Sequence, residues 1–221
     1  MSGYPLRFRL LAICLSVLAG FVDAIGFLAL GGYFVSFMSG NSTRLGVDIA
    51  TGEAMLVPAI AILSFVVGAM AGALVAAGTG DRRKPAVLAL VALLLATGAA
   101  AAGEGVVLLA LAVVAAAMGA SNAVFQRDGE VSIGVTYMTG ALVKLGQRLA
   151  GALLGEPLWA WLPHALLWAG LASGALAGAL MHAAIGLAAL WIAAAAAALL
   201  AIAAALMGTA VDVRGPDAPT P

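Results

Sequence analysis

Charge is scarce in this chain. Asp, Glu, Lys and Arg make up 9% of its 221 residues, against about 25% in a soluble domain. That is too little to cover a water-facing surface, which excludes a soluble globular protein. Neither sign is in excess, since ten basic residues face ten acidic ones, so no basic field suggests a nucleic-acid partner. Cysteine occurs once, as Cys14, so there is no internal disulfide. Its apolar neighbours make it a lipid-facing or packing residue. Histidine occurs twice, as His164 and His182. They are far apart and expected on opposite membrane sides, so they form no joint metal site. No metal-ligand spacing occurs, and no glycine loop leads into Lys-Ser or Lys-Thr, so no cofactor is expected.

What the chain has is apolar length. Hydrophobic residues make up 64%. Runs near 10–30, 54–78, 86–102, 106–125, 158–180 and 184–208 approach or exceed the roughly 20 residues that cross a bilayer. Six spans are expected, all α-helical, because helices satisfy their own backbone in lipid. Arg7 and Arg9 before the first run imitate a signal peptide. The run is too long for that, and Val22-Asp23-Ala24 is a poor cleavage site. Leu11-Ala12-Ile13-Cys14 is a poor lipobox. A retained signal-anchor helix is expected.

The chain repeats itself. Residues 35–46 read V-S-F-M-S-G-N-S-T-R-L-G and residues 135–146 read V-T-Y-M-T-G-A-L-V-K-L-G. Five of these twelve positions are identical and four conservative, at a spacing of 100. Each copy is the most polar stretch within its half. Polar interruptions at matching places in a duplicated membrane chain point to a transport pathway at the repeat interface. The two elements, about 31–50 and 129–152, carry Gly31, Gly32, Gly40 and Gly46 in the first and Gly129, Gly134, Gly140 and Gly146 in the second.

Positive charge decides whether these elements cross or return. If both return and the N-terminus is cytoplasmic, nine of the ten basic residues fall inside and only Arg44 does not. If both cross, Arg82, Arg83, Lys84 and Arg127 move outside, leaving six of ten. Returning elements are therefore expected. Each half then has three spans, and the halves are inverted. The organisation expected is a cytoplasmic N-terminus (1–9), a first membrane repeat (10–102), a second (103–208) and a disordered cytoplasmic tail (209–221). Both termini face the cytoplasm of a bacterial inner membrane. Trp159 and Trp161 belong to an aromatic belt. Gly68-x-x-x-Gly72 and Gly170-x-x-x-Gly174-x-x-x-Gly178 read as close helix packing.

Asp23 stands inside the first span, where a carboxylate is costly and faces a cavity or a partner. It is either a substrate- or proton-coupling residue, or a structural group that serves as a cap or as an ion-pair partner of Arg44. At a spacing of 100 its counterpart is Ala123, beside Ser121 and Asn122. Ser39, Asn41, Ser42 and Thr43 surround the turn of the first element. They either line a solute path or cap the half-helix that begins there. Asn122 and Thr139 complete the expected path. Ala141, Leu142 and Val143 replace Asn41, Ser42 and Thr43, so the second turn is drier. Arg44 and Lys144 are repeat-equivalent. They either present charge to an anion or snorkel to the interface, with Arg44 pairing Asp48 one turn later. Arg127, with Asp128 and Glu130, reads as a gate or a plain solvated loop. The Asp81-Arg82-Arg83-Lys84-Pro85 cluster is a topology determinant, and only a weak match to the charged loop of major facilitator transporters.

The run Ala19-Gly20-Phe21-Val22-Asp23-Ala24, followed by Leu30-Gly31-Gly32-Tyr33-Phe34-Val35-Ser36-Phe37-Met38-Ser39-Gly40-Asn41-Ser42, resembles the signature of the YoaK-like family of bacterial membrane proteins, domain of unknown function 1275. Tyr137-Met138-Thr139-Gly140 fits it as a second copy, and the resemblance spans about 10–208. Ser39 and Ser42 stand where Thr is the more usual residue. The resemblance implies a six-span membrane protein and no particular substrate.

The leading expectation is a channel or secondary transporter for a small solute, with its path between two inverted halves. A non-catalytic scaffold or accessory subunit is the alternative. An intramembrane serine hydrolase is the remote one. Ser39-Gly40 and His182 imitate a rhomboid protease, but Phe37 stands where that pattern needs Gly. The partners expected are the bilayer, an unidentified small solute and, as an option, further copies of the chain.

Overall fold

The computed structural model describes residues 5–127, 130–131 and 138–207, with side chains omitted at 126–127 and 130–131. Gly129, Gly134, Asp128, Tyr137, the tail 209–221 and the side chains of Arg127 and Glu130 lie outside the described residues. The described residues form eight α-helices: α1 Leu6–Ala29, α2 Met38–Thr51, α3 Leu56–Thr79, α4 Arg83–Gly103, α5 Val107–Ser121, α6 Met138–Leu153, α7 Leu162–Ile185 and α8 Ala189–Leu206. One 3-10 turn, Asn122–Phe125, prolongs α5. A two-residue antiparallel ladder, Gln126–Arg127 with Glu130–Val131, departs from the expected all-helical chain.

Among the described residues, four continuous helical stretches are long and apolar enough to cross a membrane: Leu6–Ala29, Leu56–Gly103, Val107–Phe125 and Leu162–Leu206. The second and fourth are each divided by a three-residue 3-10 turn, at Gly80–Arg82 and Gly186–Ala188. Gly80 and Gly186 take positive φ there, and the chain folds back, since α3 touches α4 and α7 touches α8. The result is six long apolar helices with two shorter ones, α2 and α6, in the places where the polar elements stand.

The helices pair across the two halves. α1 packs on α7, α5 on α3, and α4 on α8. Bare glycines set the first two of these contacts. Gly170, Gly174 and Gly178 of α7 meet Ile13, Val17 and Phe21 of α1, at a constant offset that makes the two helices parallel. Gly68 and Gly72 of α3 meet Ala116 and Ala120 of α5 in the same way. A Cβ at Gly20 would overlap the Leu171 carbonyl, and one at Gly119 the Phe65 carbonyl. With no apolar driving force between helices in lipid, close backbone approach of this kind is what holds a bundle together.

These contacts coincide when α1 is shifted by 99 residues onto α5 and α3 by 106 onto α7. Val17–Gly174 then becomes Ala116–Gly68, Phe21–Gly178 becomes Ala120–Gly72, and Leu171–Gly20 becomes Phe65–Gly119. The structural counterpart of Asp23 is therefore Asn122, not Ala123. The spacing of 100 holds only for the short helices. Met38, Asn41 and Leu45 of α2 face inward, as do Met138, Ala141 and Leu145 of α6.

One end of the bundle gathers the basic residues. The Arg7 guanidinium donates to the Met207 carbonyl at 3.0 Å, and the Lys84 ammonium lies 4.8 Å from the Phe8 ring centre. The start of α1, the start of α4 and the end of α8 thus share this end. Parallel packing on α1 brings the start of α7 there too. Arg7, Arg9, Arg82, Arg83, Lys84, Lys144 and Arg148 belong to this end, and Arg44 to the other.

Candidate functional site

After α1 the chain reverses through Gly31 and Gly32, both at positive φ. The Gly32 N–H donates to the Phe27 carbonyl at 2.9 Å. The strand-like segment that follows runs back along α1. Val35 lies against the bare face of Gly26, and Asp23 takes hold of the backbone. Its carboxylate accepts the Val35 N–H at 2.9 Å and the Ser36 N–H at 2.8 Å. The Ser36 hydroxyl and the Phe37 N–H also turn toward it. Successive N–H groups around one carboxylate form an anion-binding nest. α2 starts at the next residue with no side-chain cap of its own. Asp23 thus supplies, from another helix, the negative charge that a helix N-terminus favours.

Asn41 grips the same segment from the other side. Its Oδ1 accepts the Phe34 N–H at 2.9 Å and its Nδ2 donates to the Phe34 carbonyl at 2.6 Å. Asn41 is fully buried, and both ends of its amide are used. Three rings pack the tip: Phe27–Phe34 with centres 4.9 Å apart, and Phe34–Phe37 edge-on at 5.2 Å. Gly40 lacks the Cβ that would strike Phe37.

Asp23 lies six residues before the end of α1, about 9 Å along its axis. The loop 30–37 therefore dips back beside α1 before α2 returns to the same end. The second element does the converse. The Ser16 hydroxyl, buried and bonded to the Leu167 carbonyl at 2.9 Å, also points to the Met138 sulfur at 3.9 Å. Ser16 is ten residues from the basic end of α1, about 15 Å. The tips of the two elements touch α1 at Ser16 and Asp23. Seven residues separate these on one face of the helix, about 10 Å apart.

The remaining expected residues fall as follows. Ser42 and Thr43 are exposed and donate to the Met38 and Ser39 carbonyls within α2. Ser39 is exposed and shares no hydrogen bond with His182. Thr139 is exposed at the tip of α6. Asn122 is buried and turns its amide to the Met118 and Gly119 carbonyls. Arg44 pairs directly with neither Asp23 nor Asp48. It donates to the Gly31 carbonyl at 3.1 Å and stacks over the Tyr33 ring at 4.9 Å. Tyr33 in turn donates to the buried Asp48 at 2.8 Å. The Asp48 carboxylate pushes the Tyr33 phenol up from its ordinary value, so it stays protonated as a donor. Lys144 is exposed on α6 beside Arg148, which pairs with Glu156 at 3.1 Å.

Sequence reasoning missed Tyr33. The available signal was an aromatic hydroxyl just before a helix that carries Arg44 and Asp48 four residues apart. Between the halves, Ile25, Val35, Leu111, Val114 and Leu190 surround an apolar cavity of about 20 Å³, room for about one water.

Comparison with known proteins sets the chain among membrane proteins. No solved structure matches the chain. A UPF0700 transmembrane protein of Rhizobium meliloti (strain 1021) is 38% identical over 181 residues, covering 82% of this chain and 79% of that one. The family model described as protein of unknown function DUF1275 matches residues 11–203. With the family signature folded around Asp23 and Asn41, the chain belongs to the DUF1275 family of membrane proteins.

Proposed function

We propose that the chain is a channel or secondary transporter for a small solute, built from two inverted three-span halves whose interface is the path. One observation carries this reading. Two broken polar elements approach from opposite ends, and their tips rest on one face of α1 at Ser16 and Asp23. The matched pairs α1–α7 and α5–α3 give that face a two-fold environment. Irregular backbone at membrane depth is tolerated where protein or a water-filled cavity surrounds it. The small apolar cavity between the halves corresponds to a closed conformation, since a hydrophobic constriction blocks ions by dewetting. Opening requires one tip to leave α1.

The basic end is the cytoplasmic one in this reading, by the positive-inside rule. Cysteines placed at Asp81 and Glu104 of an otherwise cysteine-free chain test it. Asp81 should react with an impermeant maleimide only in inverted vesicles, and Glu104 only in intact cells. Reaction of both from one side would overturn the inverted arrangement.

Transport is tested in proteoliposomes loaded with potassium, chloride, short carboxylic acids or amines. Flux above protein-free vesicles is expected for one class. A short, reducible bis-thiosulfonate crosslinker across Ser16→Cys and Met138→Cys should then stop flux, with reductant restoring it. Absence of flux for every class, with the folded protein inserted, would favour a scaffold instead.

A further inference from the structure

The corner where α6 turns into α7 has no counterpart in the first half. Four residues, Gly52–Met55, connect α2 to α3, whereas eight, 154–161, connect α6 to α7. The longer link is built for a purpose that its local structure makes legible. Gly155, at positive φ, ends α6, and the Glu156 N–H returns to the Gly151 carbonyl at 2.9 Å. That turn lays the Glu156 side chain over the bare face of Gly151, where a Cβ would sit 2.6 Å from its carboxylate. Glu156 then meets Arg148 at 3.1 Å. Together with Lys144, Gln147 and His164 they line an open polar cavity of about 420 Å³. The Lys144 ammonium has no hydrogen-bond or ion-pair partner among the described residues.

The end of α6 and the link that follows it carry exposed apolar side chains. Leu153 is 90% exposed, Leu154 87%, Leu158 69% and Trp159 70%. Trp159 lies against Trp161 with ring centres 6.0 Å apart. Four large apolar side chains on one exposed turn are unfavourable in water but suit the acyl region of a bilayer. Paired tryptophans suit its interface. The corner therefore joins a cavity that holds Lys144, Arg148, an amide and the Glu156 carboxylate to a link of hydrocarbon-seeking side chains. That is the chemistry of an amphiphile with an anionic head.

We infer that the α6–α7 corner is a binding site for one anionic phospholipid, with its phosphate held by Lys144, Gln147, Arg148 and His164. Basic pockets at the cytoplasmic side of membrane helices take such head groups. Glu156 sets the affinity, because it occupies Arg148 and opposes a second negative charge. The site is separate from the tips at Ser16 and Asp23, so it stands whether or not the protein carries a solute.

The test uses the full chain, delipidated in neutral detergent. Native mass spectrometry follows titration with phosphatidylglycerol, phosphatidylcholine and inorganic phosphate. One phosphatidylglycerol should bind at least tenfold more tightly than phosphatidylcholine. Lys144→Gln should weaken it about fivefold, and Glu156→Gln should tighten it. Both changes lie on the surface, and an unchanged elution volume and thermal midpoint will show that each variant is folded. Equal binding of both lipids overturns the proposal, as does phosphatidylglycerol binding unchanged in Lys144→Gln. Inorganic phosphate that competes at the lipid's own concentration would also overturn it, making this a free-anion site.

Discussion

Gly174→Ala and Gly68→Ala are each expected to leave little folded protein, while Gly78→Ala leaves it intact. A Cβ at Gly174 would overlap the Val17 carbonyl, and one at Gly68 the Ala116 carbonyl. The opposing atoms are backbone, so no rotamer change relieves the clash and the helices must separate along the whole crossing. Ordinary overpacking costs about 1–3 kcal/mol, and this clash belongs at or above the top of that range. Gly78 is on the same helix as Gly68 with nothing within 4 Å, so Ala there should gain roughly 0.5–1 kcal/mol of helix preference. Size-exclusion of heated, detergent-solubilised variants reads this directly. A wild-type midpoint for Gly174→Ala would mean that α1 and α7 do not cross as described. The two matched crossings should respond alike, because each is the other's counterpart.

The sequence carried the number of long helices and the places of the two short ones, because both follow from apolar length and its interruption. It did not carry which helices pair. α3, α7 and α8 are so evenly apolar that no periodic face marks a partner; in α3 and α7 only the glycines do, and α8 has none. Nor did it carry the offset of 99 in the long helices. Aligning the polar elements at 100 hides the extra residue in the loop between Asn122 and Met138, and so paired Asp23 with Ala123. The longer α6–α7 link was hidden, because Trp159 and Trp161 read as the start of the fifth span, whereas α7 begins at Leu162.

At the candidate site, the cost of a carboxylate in a membrane helix singled out Asp23 correctly as a residue that must have a partner. A cap was one reading of it, but which segment it caps was illegible because the partner is backbone. Val35 and Ser36 offer N–H groups, and an N–H group leaves no mark in a sequence. Asn41 was legible as a turn residue, but it lies one turn inside α2 rather than at its cap, and it holds the Phe34 backbone. The expected Arg44–Asp48 pair had the right spacing, but Tyr33 stands between the two charges.

Asp23→Ala should be the most damaging single change in the first element. It strips the acceptor from the Val35 and Ser36 N–H groups, and both residues are buried. Each unsatisfied buried group costs about 1–3 kcal/mol, so the loss is roughly 2–6 kcal/mol. Asp23→Asn keeps one acceptor oxygen and the side-chain shape, and gives up the charge-assisted share of the bonds. Its loss should be about 1–2 kcal/mol. Arg44→Gln should add to either change independently, because Arg44 reaches Gly31 and Tyr33 and not Asp23, and uncoupled sites add. Thermal midpoints of the two single variants and of Asp23→Asn with Arg44→Gln decide this. Recovery of stability in the double variant would reveal an Asp23–Arg44 pair and overturn the nest. Additive losses, with proteoliposome flux abolished in Asp23→Asn while most of its stability remains, would make Asp23 the point where the fold and the solute path meet. The carboxylate that anchors the first tip to α1 would then be the group that must let go for the path to open.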